Sequence, residues 1–125
     1  MDEIARRAHV DYHAMSTLGD ITRYHARERP RAKAMWFEGR ETDFATLDRR
    51  ANQVANALLA AGVKPGDRIG HLGKGCDEFF EVMFGAAKAG LVLTPVIFRL
   101  ATPEVAGVVN DADAKFLFLG VEQLE

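Results

Sequence analysis

The sequence predicts an α/β fold with a mainly parallel sheet and helices on both faces. Three observations carry this. Apolar residues recur at spacings of three and four in several segments, short apolar β-type runs alternate with them, and glycine or proline marks the joints. Strands linked by helices in succession require crossovers, which are right-handed and leave the strands parallel.

The first strong helix signal is Thr17 as N-cap, with Leu18, Ile21 and His25 on one face and a stop at Pro30. Residues 1–15 carry little pattern, so 1–17 is set apart as an N-terminal tail expected to pack on something else. "AMWFEGRETDF" predicts two short strands around Glu38-Gly39-Arg40, with Gly39 as the turn residue. Asp43 is the N-cap of the best-patterned helix, whose Phe44, Leu47, Ala51, Val54 and Leu58 draw a continuous apolar stripe. Gly62 ends that helix. "KPGD", residues 64–67, then places Pro and Gly at the two centres of a type II turn that leads into "RIGHL".

The pattern repeats. A helix from about Asp77 to Ala89 is followed by the strand "LVLTPV", a helix capped by Thr102 with Pro103 at its first position, and the strand "KFLFL". "GVEQLE" opens a further helix. In "AAKAG", Ala86, Ala87 and Ala89 let the helix approach the sheet closely, and Gly90 stops it. Lys88 lies in the last turn, where a cation favours the unpaired carbonyls by ~0.3–1 kcal/mol. Its role is therefore read as structural.

Composition narrows the function. The 125 residues, 48% hydrophobic and 27% charged, suit one soluble globular domain. Sixteen Lys and Arg against eighteen Asp and Glu give a net charge of -2, so no basic field points to nucleic acid or an anionic membrane. Cys76 is the only cysteine, which excludes an internal disulfide and fits the reducing cytoplasm. The opening "MDEIARRAHV" lacks the apolar segment of a secretory signal. Lys88, Gly90 and Pro95 divide the apolar run 82–98 into a helix and a strand, so no membrane span is expected.

Several residues invite chemistry and decline it on inspection. "GKGCDEFF", residues 73–80, sits at a strand-to-helix turn where a glycine-rich loop can cradle phosphate. It matches neither phosphate-loop pattern, and Asp77 and Glu78 put carboxylates where the phosphate would sit. Those carboxylates also oppose a thiolate at Cys76, read as a buried or half-buried small residue. His9 and His13 flank Asp11 at helical spacing, but a metal site would need a third ligand. No nucleophile pairs with His71, read as a core or rim histidine. Arg99 follows a strand end, where a guanidinium binds an anion or ties the loop to a carboxylate; the second reading is favoured.

Taken in order, these pieces resemble the beginning of the adenylate-forming (AMP-binding) superfamily, most closely its acyl-CoA synthetase branch. "TDFATLDRRANQVANALLAAGVKPGDRI" is similar to the family's opening "LTYxEL" motif, its helix and its "GVxxGDRV" turn. "FGAAKAGLVLTPV" resembles its "LKAGxxxxP" motif, and "RLATPEVAGVVNDADAKFLF" the segment that follows, so the likeness runs from about Leu18 to Leu119. Phe44 stands where tyrosine is usual, Thr46 where glutamate is, Gly75 and Cys76 where Asn and Ser are common, and Ile97 where Asn is frequent.

The resemblance implies a ligase that activates a fatty or other hydrophobic carboxylic acid with ATP and Mg and passes the acyl group to the thiol of CoA. It implies that residues 18–125 are part of a larger N-terminal α/β domain, ending before the ATP-binding motifs. No catalytic, cofactor-binding or metal-binding residue is assigned here, and the chain alone is expected to be inactive. The implied partner is the rest of the ligase chain, with self-association through the sheet edge as a further expectation. On the residues alone, the alternatives are a stand-alone small doubly wound binding or regulatory module, or an interaction protein using its open sheet edge. Receiver-like modules need an acidic cluster at the carboxyl ends of their strands, which "RIGHLG" and "LVLTPV" lack.

Overall fold

A computed structural model describes residues 10–96 and 99–120. The expected helix at 121–125, His9 and Ile97 lie outside them. Helix α1 (Leu18–Glu28) leads into a hairpin of β1 (Lys33–Phe37) and β2 (Arg40–Asp43), followed by the long helix α2 (Phe44–Ala60). Then come β3 (Arg68–Leu72), α3 (Asp77–Lys88), β4 (Val92–Val96), α4 (Thr102–Asp111) and β5 (Ala114–Leu119). The hairpin is a separate antiparallel pair, and the other three strands form a parallel sheet in the order β4-β3-β5.

That order follows from right-handed crossovers. Going from β3 to β4 moves one way along the sheet and going from β4 to β5 moves back past β3, so α3 and α4 cover opposite faces. On the α3 face, Ile69 lies beside Leu93 and Phe116 and is wholly buried under Leu58, Val82, Ala86 and Leu91. The α4 face is thinner: Leu72 and Val96 are buried, but α4 buries no residue fully. Val92 at one border and Leu119 at the other stay 50% and 45% exposed.

The ends of α2 and α3 are built alike. Val63 donates to the Leu58 carbonyl at 3.1 Å and Gly62 to Leu59 at 3.1 Å; Leu91 donates to Ala86 at 2.8 Å and Gly90 to Ala87 at 3.2 Å. Both closures need a left-handed residue, which Gly62 (φ 92°) and Gly90 (φ 74°) supply, and each sends an apolar residue back to the core. At the start of α2, the Asp43 carboxylate accepts from the Thr46 N–H at 2.8 Å. Helix α4 begins differently from expectation. Ala101 is its N-cap and Thr102 its first residue, because the Glu104 carboxylate reaches back to the Ala101 N–H at 3.1 Å.

The apolar stripe expected to bury α1 is not its buried face. Gly19, Thr22 and Tyr24 are buried, whereas Leu18 is exposed and Ile21 and His25 are half-buried. Small residues win here because α1 lies against the end of α3: a Cβ on Gly19 would stand 3.0 Å from Lys88 Cγ. Residues 10–17 run back along the other side of α1, with Val10, Tyr12 and Met15 beside Leu18, Ile21 and His25. The Asp11 N–H donates to the Tyr24 hydroxyl at 3.0 Å.

Lys88 does more than complement a helix end. Its Nζ lies 2.7 Å from Asp48 Oδ1, the two side chains only 14% and 17% exposed. The Thr22 hydroxyl donates to the same oxygen at 2.9 Å. One carboxylate of α2 thus gathers α1 and α3, where the sequence had suggested only a dipole effect.

Candidate functional site at the carboxyl edge of the sheet

The carboxyl edge of the parallel sheet is where doubly wound sheets bind ligands. A cleft of about 460 Å³ lies there, walled by His71, Gly73 to Cys76, Phe118 and Leu119, with Phe37 and Arg40 of the hairpin forming the far side. An ion pair ties the hairpin to the start of α3. Arg40 Nη2 is 2.9 Å from Asp77 Oδ1, and Asp77 is only 6% exposed. The hydrogen bond and charge of Asp77 hold the Arg40 guanidinium above its usual range. Arg40 also lies over the Phe37 ring, 5.5 Å from its centroid.

This geometry decides the fate of the glycine-rich loop. Cys76, half-buried, is the N-cap of α3, and the first helical residue is Asp77. The Asp77 carboxylate accepts from the Glu78 N–H at 3.1 Å, so the helix's own acid occupies the position an anionic ligand would need. A nucleotide triphosphate with its Mg does not fit this corner. Among the described residues no three His, Cys, Asp or Glu side chains converge to hold a metal.

The other candidates fall apart in space. His13 is in an exposed 3₁₀ turn (Tyr12–Ala14), where its N–H donates to Asp11 Oδ1 at 3.0 Å. Arg99 is exposed just beyond β4. His71 is buried in β3, its ring edge-on to Phe79 at 5.0 Å, as a core histidine would be. Sequence reasoning missed the ion pairs of Arg40 with Asp77 and of Lys88 with Asp48. A signal existed for the second: Asp48 stands four residues after Phe44 and three before Ala51, a charge inside an apolar stripe that demands a partner.

The fold and the crevice define a small doubly wound α/β unit. Residues 22–125 match the AMP-binding enzyme family, and the chain belongs to it. Among its relatives are the fatty acid–acyl-carrier-protein ligase ScoC of Streptomyces coeruleorubidus and a feruloyl-CoA synthase of an Amycolatopsis species. The first is 43% identical over 105 residues, covering 84% of this chain and 20% of ScoC; the second is 38% identical over 108 residues, covering 86% and 22%. The crystal structure of the N-terminal domain of FACL13 from Mycobacterium tuberculosis superposes with a TM-score of 0.83 at 32% identity. That match covers 88% of this chain and 29% of that N-terminal-domain chain. The chain thus spans about a fifth of the length of the curated relatives. Among the described residues, no helix is long and apolar enough to cross a membrane.

Proposed function

We propose that this chain is scaffold from the N-terminal domain of an ATP-dependent ligase that joins a fatty or other hydrophobic acid to a thiol and releases AMP and pyrophosphate. The family match over residues 22–125 carries this reading. In the complete enzyme ATP, Mg and CoA, or a carrier-protein thiol as in ScoC's name, would be handled by residues other than these. The crevice supports that division. Its arginine is committed to Asp77, and its helix start carries a carboxylate. Relatives named for acids as different as a fatty acid and ferulate match this segment at similar identity, as expected of framework that does not select the acid.

On this reading residues 1–17 are a tail, 18–125 a partial α/β subdomain, and the enzyme works in the cytoplasm. On this reading no catalytic, cofactor-binding or metal-binding role falls to these residues. Purified alone, the chain forms no acyl-adenylate, because the groups that would neutralise the triphosphate and position the acid are not among these residues. Acid-dependent exchange of labelled pyrophosphate into ATP measures this. No exchange above a blank is expected, and any acid-dependent exchange overturns the proposal.

A further inference from the structure

His25 is a titratable group built into a packing contact. It is half-buried on α1, and its Nδ1 is buried without a hydrogen-bond partner among the described residues. Its ring stands perpendicular to that of Tyr24, with centroids 5.1 Å apart, and lies tilted over Phe44, the first residue of α2, at 4.8 Å. A neutral imidazole tolerates this, because one nitrogen stays bare while the other carries the proton. An imidazolium carries a proton on both, so an Nδ1–H would be buried with nothing to accept it.

The charged groups around the ring give it no relief. On α1, Arg29 lies one turn further on with the same sign; burial first and that charge second hold the pKa of His25 below 6.5. At the start of α2 the unpaired N–H groups form a positive end. Asp43 there is committed to the Thr46 N–H at 2.8 Å and already feels Arg31 and Arg49. On the N-terminal side the Asp11 carboxylate accepts from the N–H of His13, in its exposed turn, at 3.0 Å. The faces of Phe44 and Tyr24 attract a cation, but they supply no acceptor for Nδ1–H.

The elements that meet at His25 are held unequally. Thr22, Asp48 and Lys88 tie α1 to α2 and α3 largely out of water. Residues 10–15 are held to α1 by the Asp11 N–H, which donates to the Tyr24 hydroxyl at 3.0 Å, and by apolar contact along a groove of about 500 Å³ that His25 also lines. Tyr12 in that segment is 74% exposed. We propose that His25 is a proton-operated catch: uptake of one proton on its ring releases residues 10–15 from α1, opening the groove to water, while α1, α2 and α3 stay together. This inference does not depend on the ligase reading.

The test is nuclear magnetic resonance on the 125-residue chain at low concentration, from about pH 7.5 to about pH 5, on either side of the ordinary histidine range. The His25 ring shifts report its protonation. The Asp11 amide, corrected for the intrinsic dependence of exchange on pH, reports whether the segment is docked. Protection of that amide should begin to fall near pH 6.5 and drop by about tenfold per pH unit toward the lower midpoint of the docked ring, as one proton taken up on release requires. Far-ultraviolet circular dichroism should hold constant. His25→Phe, which keeps an aromatic ring in the slot, should leave the amide protected throughout, and His13→Gln, which removes the imidazole within residues 10–15, should leave the transition unchanged. A His25 midpoint at or above 6.5, protection that stays level through that window, release that survives His25→Phe or vanishes with His13→Gln, or collapse of the dichroism over the same window each overturns the proposal. The first two are read on the unaltered chain, so they decide the matter even where His25→Phe fails to fold.

Discussion

Replacing Lys88 with glutamine probes the junction of three helices. If the lysine served only the carbonyls at the end of α3, its loss would cost about 0.3–1 kcal/mol. The structure sets a higher figure. Lys88 Nζ is 2.7 Å from Asp48 Oδ1 at 14% and 17% exposure, and the Thr22 hydroxyl donates to the same oxygen at 2.9 Å. Breaking a fully buried pair costs about 3–5 kcal/mol, largely by stranding a charge, whereas an exposed pair is worth about 0–1. The slight exposure and the surviving Thr22 hydrogen bond place the cost between, at about 1–3 kcal/mol. Urea unfolding followed by far-ultraviolet circular dichroism should show the midpoint falling with an unchanged slope. A cycle with Asp48→Asn should return a coupling above about 1 kcal/mol. A loss under about 0.5 kcal/mol without coupling would reduce Lys88 to a helix-end charge, and a fall in turnover of a folded full-length ligase would show that it carries chemistry.

Other outcomes follow from the same contacts. Gly85→Ala should destabilise by at least about 1 kcal/mol despite better helix propensity, because its Cβ would stand 2.7 Å from Val54 and 2.8 Å from the Ala51 carbonyl oxygen; thermal melts read this directly. Gly90→Val should cost about 2 kcal/mol or more in the same assay, since a branched side chain is forced to φ 74°. Burial first and the Arg29 charge second lower the pKa of His25 below 6.5, so the unfolded chain takes up a proton that the folded chain resists. Stability should therefore be full above about pH 6.5 and fall as pH drops from there toward the folded pKa, and His25→Phe should flatten that slope. Purified alone, the chain should self-associate or bind a hydrophobic dye through its open border and thin α4 face, and a strict monomer without dye binding in sedimentation would contradict this.

Local signals in the sequence carried the architecture. Asp43, Gly62, Gly90 and the turn at Pro65-Gly66 act through backbone geometry that each residue imposes on its neighbours, so helix, turn and strand were legible without tertiary context. The face of α1 was not, because hydropathy points to Leu18 and Ile21 while the packing is decided by how closely Gly19 and Thr22 let α1 approach Lys88 and Asp48. The ion pairs were hidden for a related reason. Arg40 and Asp77 are 37 positions apart, and nothing periodic links a hairpin to a helix start. The acids at Asp77 and Glu78 did announce that the glycine-rich loop was no phosphate cradle, and the structure gives the mechanism: Asp77 occupies the helix start itself.

If the proposed function is right, this segment is interchangeable framework of an acid-activating ligase. The most direct measurement is acid-dependent pyrophosphate exchange by a ScoC fusion carrying residues 18–120 in place of ScoC's own matched segment, compared with ScoC itself. The fusion should keep exchange with ScoC's fatty acid to within about tenfold, a barrier change of about 1.4 kcal/mol, and keep ScoC's preference among acids. A folded fusion that exchanges nothing, or one whose choice of acid has changed, would contradict it.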